Sequence, residues 1–351
     1  MSSEAPPPSP PSGSTKGRVI ASIVTLITLV LVFAVILPQF ADYGQAWDAI
    51  EGMSMASLIV LAVATVANII VYVWPYQAAL PGIAYGPAFV VRQTSFAISN
   101  GVPAGGAFGL AVQYDMLSDY GHDSGPATAA IGITSVWNTL VTLGMPVFGV
   151  LALALIGDFE ARVLGIAVIG LVLMGLAVGA LVLIFRSESA ARRLGEFADG
   201  LIQRVMRIFR RDVDLDLGRK ILDFRTSTVE VVRRRVTAVT LTNLLQQLMQ
   251  FVVLYVALRA IGGSAEVTFA EALVAFSVGR LGSFIPVTPG GLGTVDAAIT
   301  AILVAFGADE ANALAAVMVW RAVTYFPQIF IGIGTFVYWR RRKGRKLAAT
   351  A

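Results

Sequence analysis

Apolar residues in this chain fall in long unbroken runs, and the runs set the architecture. Six are long enough to cross a bilayer: residues 19–37, 55–74, 127–156, 163–185, 236–258 and 311–339. A span needs about 20 residues, so the longest of these must tilt, kink or project. Two further apolar regions are interrupted. Residues 82–120 contain Asn100-Gly-Val-Pro-Ala-Gly-Gly106, and residues 269–306 contain Pro286-Val-Thr-Pro-Gly-Gly-Leu-Gly293. Proline removes a backbone donor and blocks helix continuation, while glycine permits turn dihedrals. Each region is therefore predicted to be a helical hairpin whose turn lies at membrane depth. Irregular backbone there must be covered by protein or line a wet cavity.

Polar segments divide the rest. Residues 1–17 are rich in Pro and Ser and are expected to be disordered. The run at 19–37 is too long for a signal-peptide core and reads as an uncleaved first span. Residues 18–186 form a first membrane half, and residues 236–339 a second. Between them, 187–235 carries Leu194, Phe197, Leu201, Val205 and Ile208 at helical spacing, with Arg193, Arg204, Arg207 and Arg211 largely off that stripe. A helix lying on the inner leaflet and a soluble helical hairpin both fit it. Residues 340–351 form a basic tail. Composition agrees with a membrane protein: 14% of residues are charged, against about 25% in soluble domains, and the mean hydropathy is +0.76. The predicted fold is all-α and polytopic, with six spans and two re-entrant hairpins.

Charge sets the orientation, because Lys and Arg favour the cytoplasmic side. With the N-terminus inside, 21 of the 26 Lys and Arg fall inside: two before the first span, 13 in 186–235 and six in 340–346. Both termini are then cytoplasmic, as in a multi-pass protein of the cell membrane. The first hairpin enters from the cytoplasm and the second from outside, so the unit of span, hairpin and span occurs twice with opposite orientation. The sequence echoes this inverted repeat. Arg92-Gln-Thr-Ser95-Phe96 parallels Arg280-Leu-Gly-Ser283-Phe284, and Gly105-Gly106 parallels Gly290-Gly291. Gly109 precedes Val136-Trp137 as Gly293 precedes Val319-Trp320, with glycine-to-tryptophan gaps of 28 and 27 residues. Inverted repeats with broken helices characterise many transporters, with the site where the repeats meet.

Charge inside the membrane is costly and marks candidate chemistry. Arg280 and Asp296 lie about 8 to 9 Å from the second turn on opposite arms, and Arg92 and Asp115 about 14 to 16 Å from the first. Each Arg–Asp set either ties its hairpin's arms together or holds an anion such as a lipid phosphate, to which Arg can bond bidentately. Arg321 has no acidic neighbour one helical turn away. Its partner must be a ligand or another segment, Asp296 included. The run Pro289-Gly290-Gly291-Leu-Gly293 opens a half-helix whose unpaired N–H groups suit an anion. Asn68 and Asn243 are expected to bond between helices. With His122 as the single histidine and no cysteine, a multi-His or thiolate metal site is excluded. No cofactor, nucleotide-binding loop or nucleic-acid partner is expected. No nucleophile–base set is visible, so an enzyme is not expected.

The run from Arg280 to Asp296, followed by Arg321 and Pro327, resembles the lysylphosphatidylglycerol synthase transmembrane family, also called the flippase-like domain family. The likeness covers roughly residues 18 to 342. The family hallmark is a Pro-Gly-Gly-Leu-Gly segment, an acidic residue soon after it and an Arg in the last span. Here these fall on Pro289–Gly293, Asp296 and Arg321. Family members often carry Glu where Asp296 stands, and Gly-Glu in the first turn, where this chain has Gly105-Gly106. Bifunctional relatives add a soluble aminoacyl-transferase domain. The sequence ends at 351 without one, so lipid aminoacylation is not expected of it. The resemblance implies a protein that translocates a phospholipid or glycolipid between leaflets. Two alternatives stand beside it: a non-transporting partner that presents lipid to a separate lipid-modifying enzyme, and an ion-coupled carrier of small anions.

Overall fold

The computed structural model describes residues 51–101, 105–156, 217–261, 267–284 and 291–350, together with Asp48 and scattered positions between 172 and 196. The regular elements in the continuous stretches are all helical. They are α1 (Met55–Val71), α2 (Trp74–Ala79), α3 (Tyr85–Gly101), α4 (Gly105–Asp119), α5 (Ser124–Ile156), α6 (Leu217–Ile261), α7 (Phe269–Arg280), α8 (Thr294–Ala305) and α9 (Glu310–Thr350). A short 3-10 turn, Leu281–Phe284, extends α7.

Four described segments are long and apolar enough to cross a membrane: Met55–Ala79, Ser124–Leu155, Val231–Ile261 and Glu310–Arg345. The chain is therefore a multi-pass membrane protein. The runs at 19–37 and 163–185 lie outside the described residues, apart from scattered positions in the second. Outward-facing side chains behave as expected in lipid. On α1, Ile59, Val63, Val66 and Ile70 form an exposed apolar stripe, and on α9 so do Phe326, Phe330, Ile333 and Val337. Polar side chains lie inward instead, among them Asn68, Gln93, Gln246, Gln247 and Gln328.

Each interrupted region contains two helical arms in contact. α3 packs on α4, and α7 packs on α8. Glycine lets the arms close. A Cβ at Gly279 would strike the Ile299 side chain, and one at Gly109 would strike Ser99 Oγ. The chain enters α8 through Gly291 and Gly293 at φ 68° and 85°, which other residues reach only with strain. The turn residues 102–104 and 285–290 lie outside the described residues, and with them Pro103, Pro286, Pro289 and Gly290.

The hairpins dock crosswise. α3 packs against α9, and α7 packs against α5. Gly332 on α9 admits α3, since a Cβ there would collide with the Gln93 carbonyl and the Ala97 methyl. Gly149 on α5 admits α7, where a Cβ would meet Val274 Cγ2 at 2.9 Å. Both glycines stand twelve residues after a tryptophan, Trp137 and Trp320. Each indole N–H reaches α6: Trp137 Nε1 donates to Thr240 Oγ1 at 2.9 Å, and Trp320 Nε1 to the Gln250 carbonyl at 3.0 Å. The base of the first hairpin lies at the C-terminal end of α9, where Lys343 pairs with Asp115 at 2.5 Å and Arg342 lies over Tyr120 at 4.5 Å. The second hairpin's arm α8 ends beside the start of α9, at Phe306 and Ala308. The hairpins thus open toward opposite ends of α9.

Residues 217–235 are helical and continue without a break into the span that follows, as one helix of 45 residues. No Gly or Pro interrupts 219–261, so nothing stops the helix at the membrane edge. Residues 187–216, including Leu194 to Ile208, lie largely outside the described residues.

Candidate functional site

A buried ion pair ties the second hairpin to α9. Arg321 Nε donates to Asp296 Oδ1 at 2.8 Å, and Arg321 Nη2 lies 2.7 Å from the same oxygen. The other carboxylate oxygen, Oδ2, accepts the Gly293 N–H at 2.8 Å. Asp296 is 6% exposed and Arg321 7%. The Arg321 guanidinium also lies 4.8 Å from the ring centres of both Trp320 and Tyr325. Of the readings open for these residues, the structural pairing is what the fold contains. Asp296 places the protein's own carboxylate at the start of α8, where the helix dipole favours negative charge.

The arginines of the hairpins are placed differently. Arg92 and Arg280 face one cavity of about 310 Å3. α3 contributes Arg92, Phe96 and Asn100, while α5 contributes Thr134, Ser135 and Asn138. Gln246 and Gln250 come from α6, Arg280 and Ser283 from α7 and its 3-10 turn, and Thr324, Tyr325 and Gln328 from α9. Tyr72, just past α1, completes the wall. Among the described residues, no carboxylate lines the cavity. Neither Arg92 nor Arg280 forms an ion pair with a described acidic residue, and the Nε of each is buried without a hydrogen-bond partner. The expected pairs Arg92–Asp115 and Arg280–Asp296 are therefore replaced. Asp115 is held by Lys343, a partner 228 residues away, at a site where its side chain is 53% exposed. Asp296 is held by Arg321. Aromatic faces orient what the carboxylates do not: Arg92 lies 4.4 Å over Tyr72, and Arg280 lies 5.9 Å from Phe276. Phe96 bridges Tyr72 and Tyr325 by edge contacts of 5.7 and 5.5 Å.

Of the residues singled out in the sequence, Arg92 and Arg280 thus meet in one cavity. Asp296, Arg321, Gly291 and Gly293 form the adjacent joint, and Asp115 stands apart. Pro289 and Gly290 lie outside the described residues. The amides and hydroxyls of the wall were not anticipated. The available signal was polar residues recurring inside spans, such as Gln246, Gln247 and Gln250.

The family model described as the lysylphosphatidylglycerol synthase TM region matches residues 19–332. The chain belongs to this family. Membership in the lysylphosphatidylglycerol synthase TM family covers both hairpins, the Asp296–Arg321 joint and the cavity between the halves. It relates the protein to membrane lipid metabolism. No curated protein matches the chain in a sequence comparison.

Proposed function

We propose that this protein binds the phosphate of a membrane lipid in the Arg92–Arg280 cavity and carries the headgroup between leaflets while the tails stay in the bilayer. One observation carries the reading: two cationic side chains, one from each broken hairpin, converge on a cavity that no described carboxylate lines. Each guanidinium is partly exposed with its Nε buried, and neither has a counter-charge among the described residues; a phosphate would supply one. We read the two halves as an inverted repeat of six spans in the cell membrane, with both ends cytoplasmic. The crosswise docking of α3 on α9 and α7 on α5 supports that reading, as does the opening of the hairpins toward opposite ends of α9. Rocking one half against the other would expose the cavity to each leaflet in turn.

The test is lipid movement in vesicles. Purified protein in phosphatidylcholine vesicles with a trace of tail-labelled phosphatidylglycerol is expected to make the inner-leaflet label accessible to dithionite. Arg92→Gln and Arg280→Gln are each expected to slow that movement by about ten- to a hundredfold, the equivalent of one charge-assisted contact of about 1.5–3 kcal/mol. Lipid retained by the protein without movement would favour the reading in which it presents lipid to a separate enzyme.

A further inference from the structure

We infer that the end of the molecule where the span of α6 begins and that of α9 ends binds anionic lipid headgroups, through exposed arginines on both helices. None of the cavity residues takes part, so this surface is additional to lipid carriage. In the orientation proposed above it faces the cytoplasmic leaflet.

Packing brings the two basic runs to one level. α6 and α9 contact each other, and they run antiparallel: Phe251, Leu254 and Leu258 share an apolar cluster with Ala313, Ala316 and Trp320, while Val231, Val232 and Val239 share another with Phe336 and Trp339. The Trp320 indole bonded to the Gln250 carbonyl fixes their register. From that bond Arg235 lies about 23 Å along α6 and Arg340 about 30 Å along α9, at 1.5 Å per residue. The difference is about the depth of one headgroup layer.

The exposed surface of both helices changes character at this level. Val236 and Leu241 on α6, and Ile333 and Val337 on α9, are exposed and apolar, as contact with lipid tails requires. Immediately beyond them Arg233 and Arg235 on α6, and Arg340, Arg341 and Arg345 on α9, are exposed. Tyr338, 58% exposed, stands at the boundary, where interfacial aromatics collect. Arg340 lies 5.7 Å from the centre of the Phe336 ring, so its stem follows apolar surface up to an exposed charge. Residues 231–239 and 336–346 contain no Asp or Glu, so neither run neutralises itself. Cations of one sign at the rim of a tail-facing surface complement the phosphates of a bilayer leaflet. A soluble acidic protein would have to reach the same arginines at headgroup depth, beside side chains that lie among the tails.

The test uses the full chain carrying Arg92→Gln and Arg280→Gln, which removes the cavity's cations, in phosphatidylcholine vesicles with a trace of lipid spin-labelled near the tail end. Electron spin resonance reports the share of label slowed at the protein surface. Spin-labelled phosphatidylglycerol is expected to associate about fivefold more than spin-labelled phosphatidylcholine, the effect of about one cation at an anionic surface. The preference is expected to vanish in 1 M NaCl, where the screening length falls to about 3 Å. Adding Arg233→Gln, Arg235→Gln, Arg340→Gln and Arg341→Gln is expected to abolish it, while Lys at the same four positions keeps it, because a leaflet reads charge and not the guanidinium fork. Equal association of the two lipids at low salt, or a preference that survives the four Gln replacements, overturns the inference. Co-purification of an acidic soluble protein through these arginines, without a lipid preference, makes the surface a protein interface and overturns it too. Lipid carriage stands or falls separately, on the movement that Arg92 and Arg280 control.

Discussion

Asp296→Ala is expected to be severely destabilising, whereas a double replacement by apolar residues at Asp296 and Arg321 is not. The carboxylate is almost fully buried and makes three contacts: two to the Arg321 guanidinium and one to the Gly293 N–H. Its removal leaves the buried guanidinium without its carboxylate, which costs about 3–5 kcal/mol. Loss of the cap on α8 adds about 1 kcal/mol. Melting of the detergent-solubilised protein should therefore fall by on the order of 10 °C. Thermal unfolding followed by size-exclusion chromatography measures it. In Asp296→Leu/Arg321→Met neither charge remains to be compensated, and replacement of a buried pair by apolar side chains is commonly near neutral. Most of the lost stability should return. The double variant should also keep lipid movement within about threefold of the parent, because Arg321 does not line the cavity. An Asp296→Ala protein that melts with the parent would refute the structural role. A stable double variant without lipid movement would return Arg321 to the anion site.

The packing makes further demands. Gly332→Ala should destabilise by about 1–3 kcal/mol, since the added methyl strikes the Gln93 carbonyl and Ala97; Gly334→Ala, with nothing within 4 Å, should be neutral or slightly stabilising in the same melting assay. Trp137→Phe should cost about 1 kcal/mol through loss of the bond to Thr240, and Thr240→Val should cost a similar amount without adding to it in the pair. Lys343→Ala should change the melting temperature little, because the Lys343–Asp115 pair is partly exposed and such pairs contribute about 0.2–1 kcal/mol.

Much of this arrangement was legible in the sequence for a simple reason: the bilayer makes charge and broken helix conspicuous. Arg92 and Arg280 stand out because arginine inside an apolar run has few tolerable placements. The Pro/Gly interruptions announce the hairpins because few other residues stop a helix there. Partner choice was less visible. Local spacing suggested Asp115 for Arg92, yet Lys343 takes Asp115 from the far end of the chain. Asp296, by contrast, was among the partners the sequence left open to Arg321, and the fold gives it to Arg321 instead of Arg280 on its own hairpin. Such pairings depend on how helices dock, which Gly149 and Gly332 decide through the absence of a Cβ. The neutral wall was hidden for a related reason. Asn138, Gln246 and Gln328 lie on three helices and look like isolated polar residues until packing brings them to one cavity.

The sequence contains no cysteine, so one introduced thiol reports from a single place. Ser135→Cys sets that thiol in the cavity wall. In phosphatidylcholine vesicles it should react with a membrane-impermeant maleimide, and phosphatidylglycerol should slow the reaction at least about fivefold if it occupies the cavity. The same protection should vanish in Ser135→Cys carrying Arg92→Gln and Arg280→Gln. Labelling that is indifferent to phosphatidylglycerol, or protection that survives loss of both arginines, would contradict a lipid phosphate held between the two hairpins.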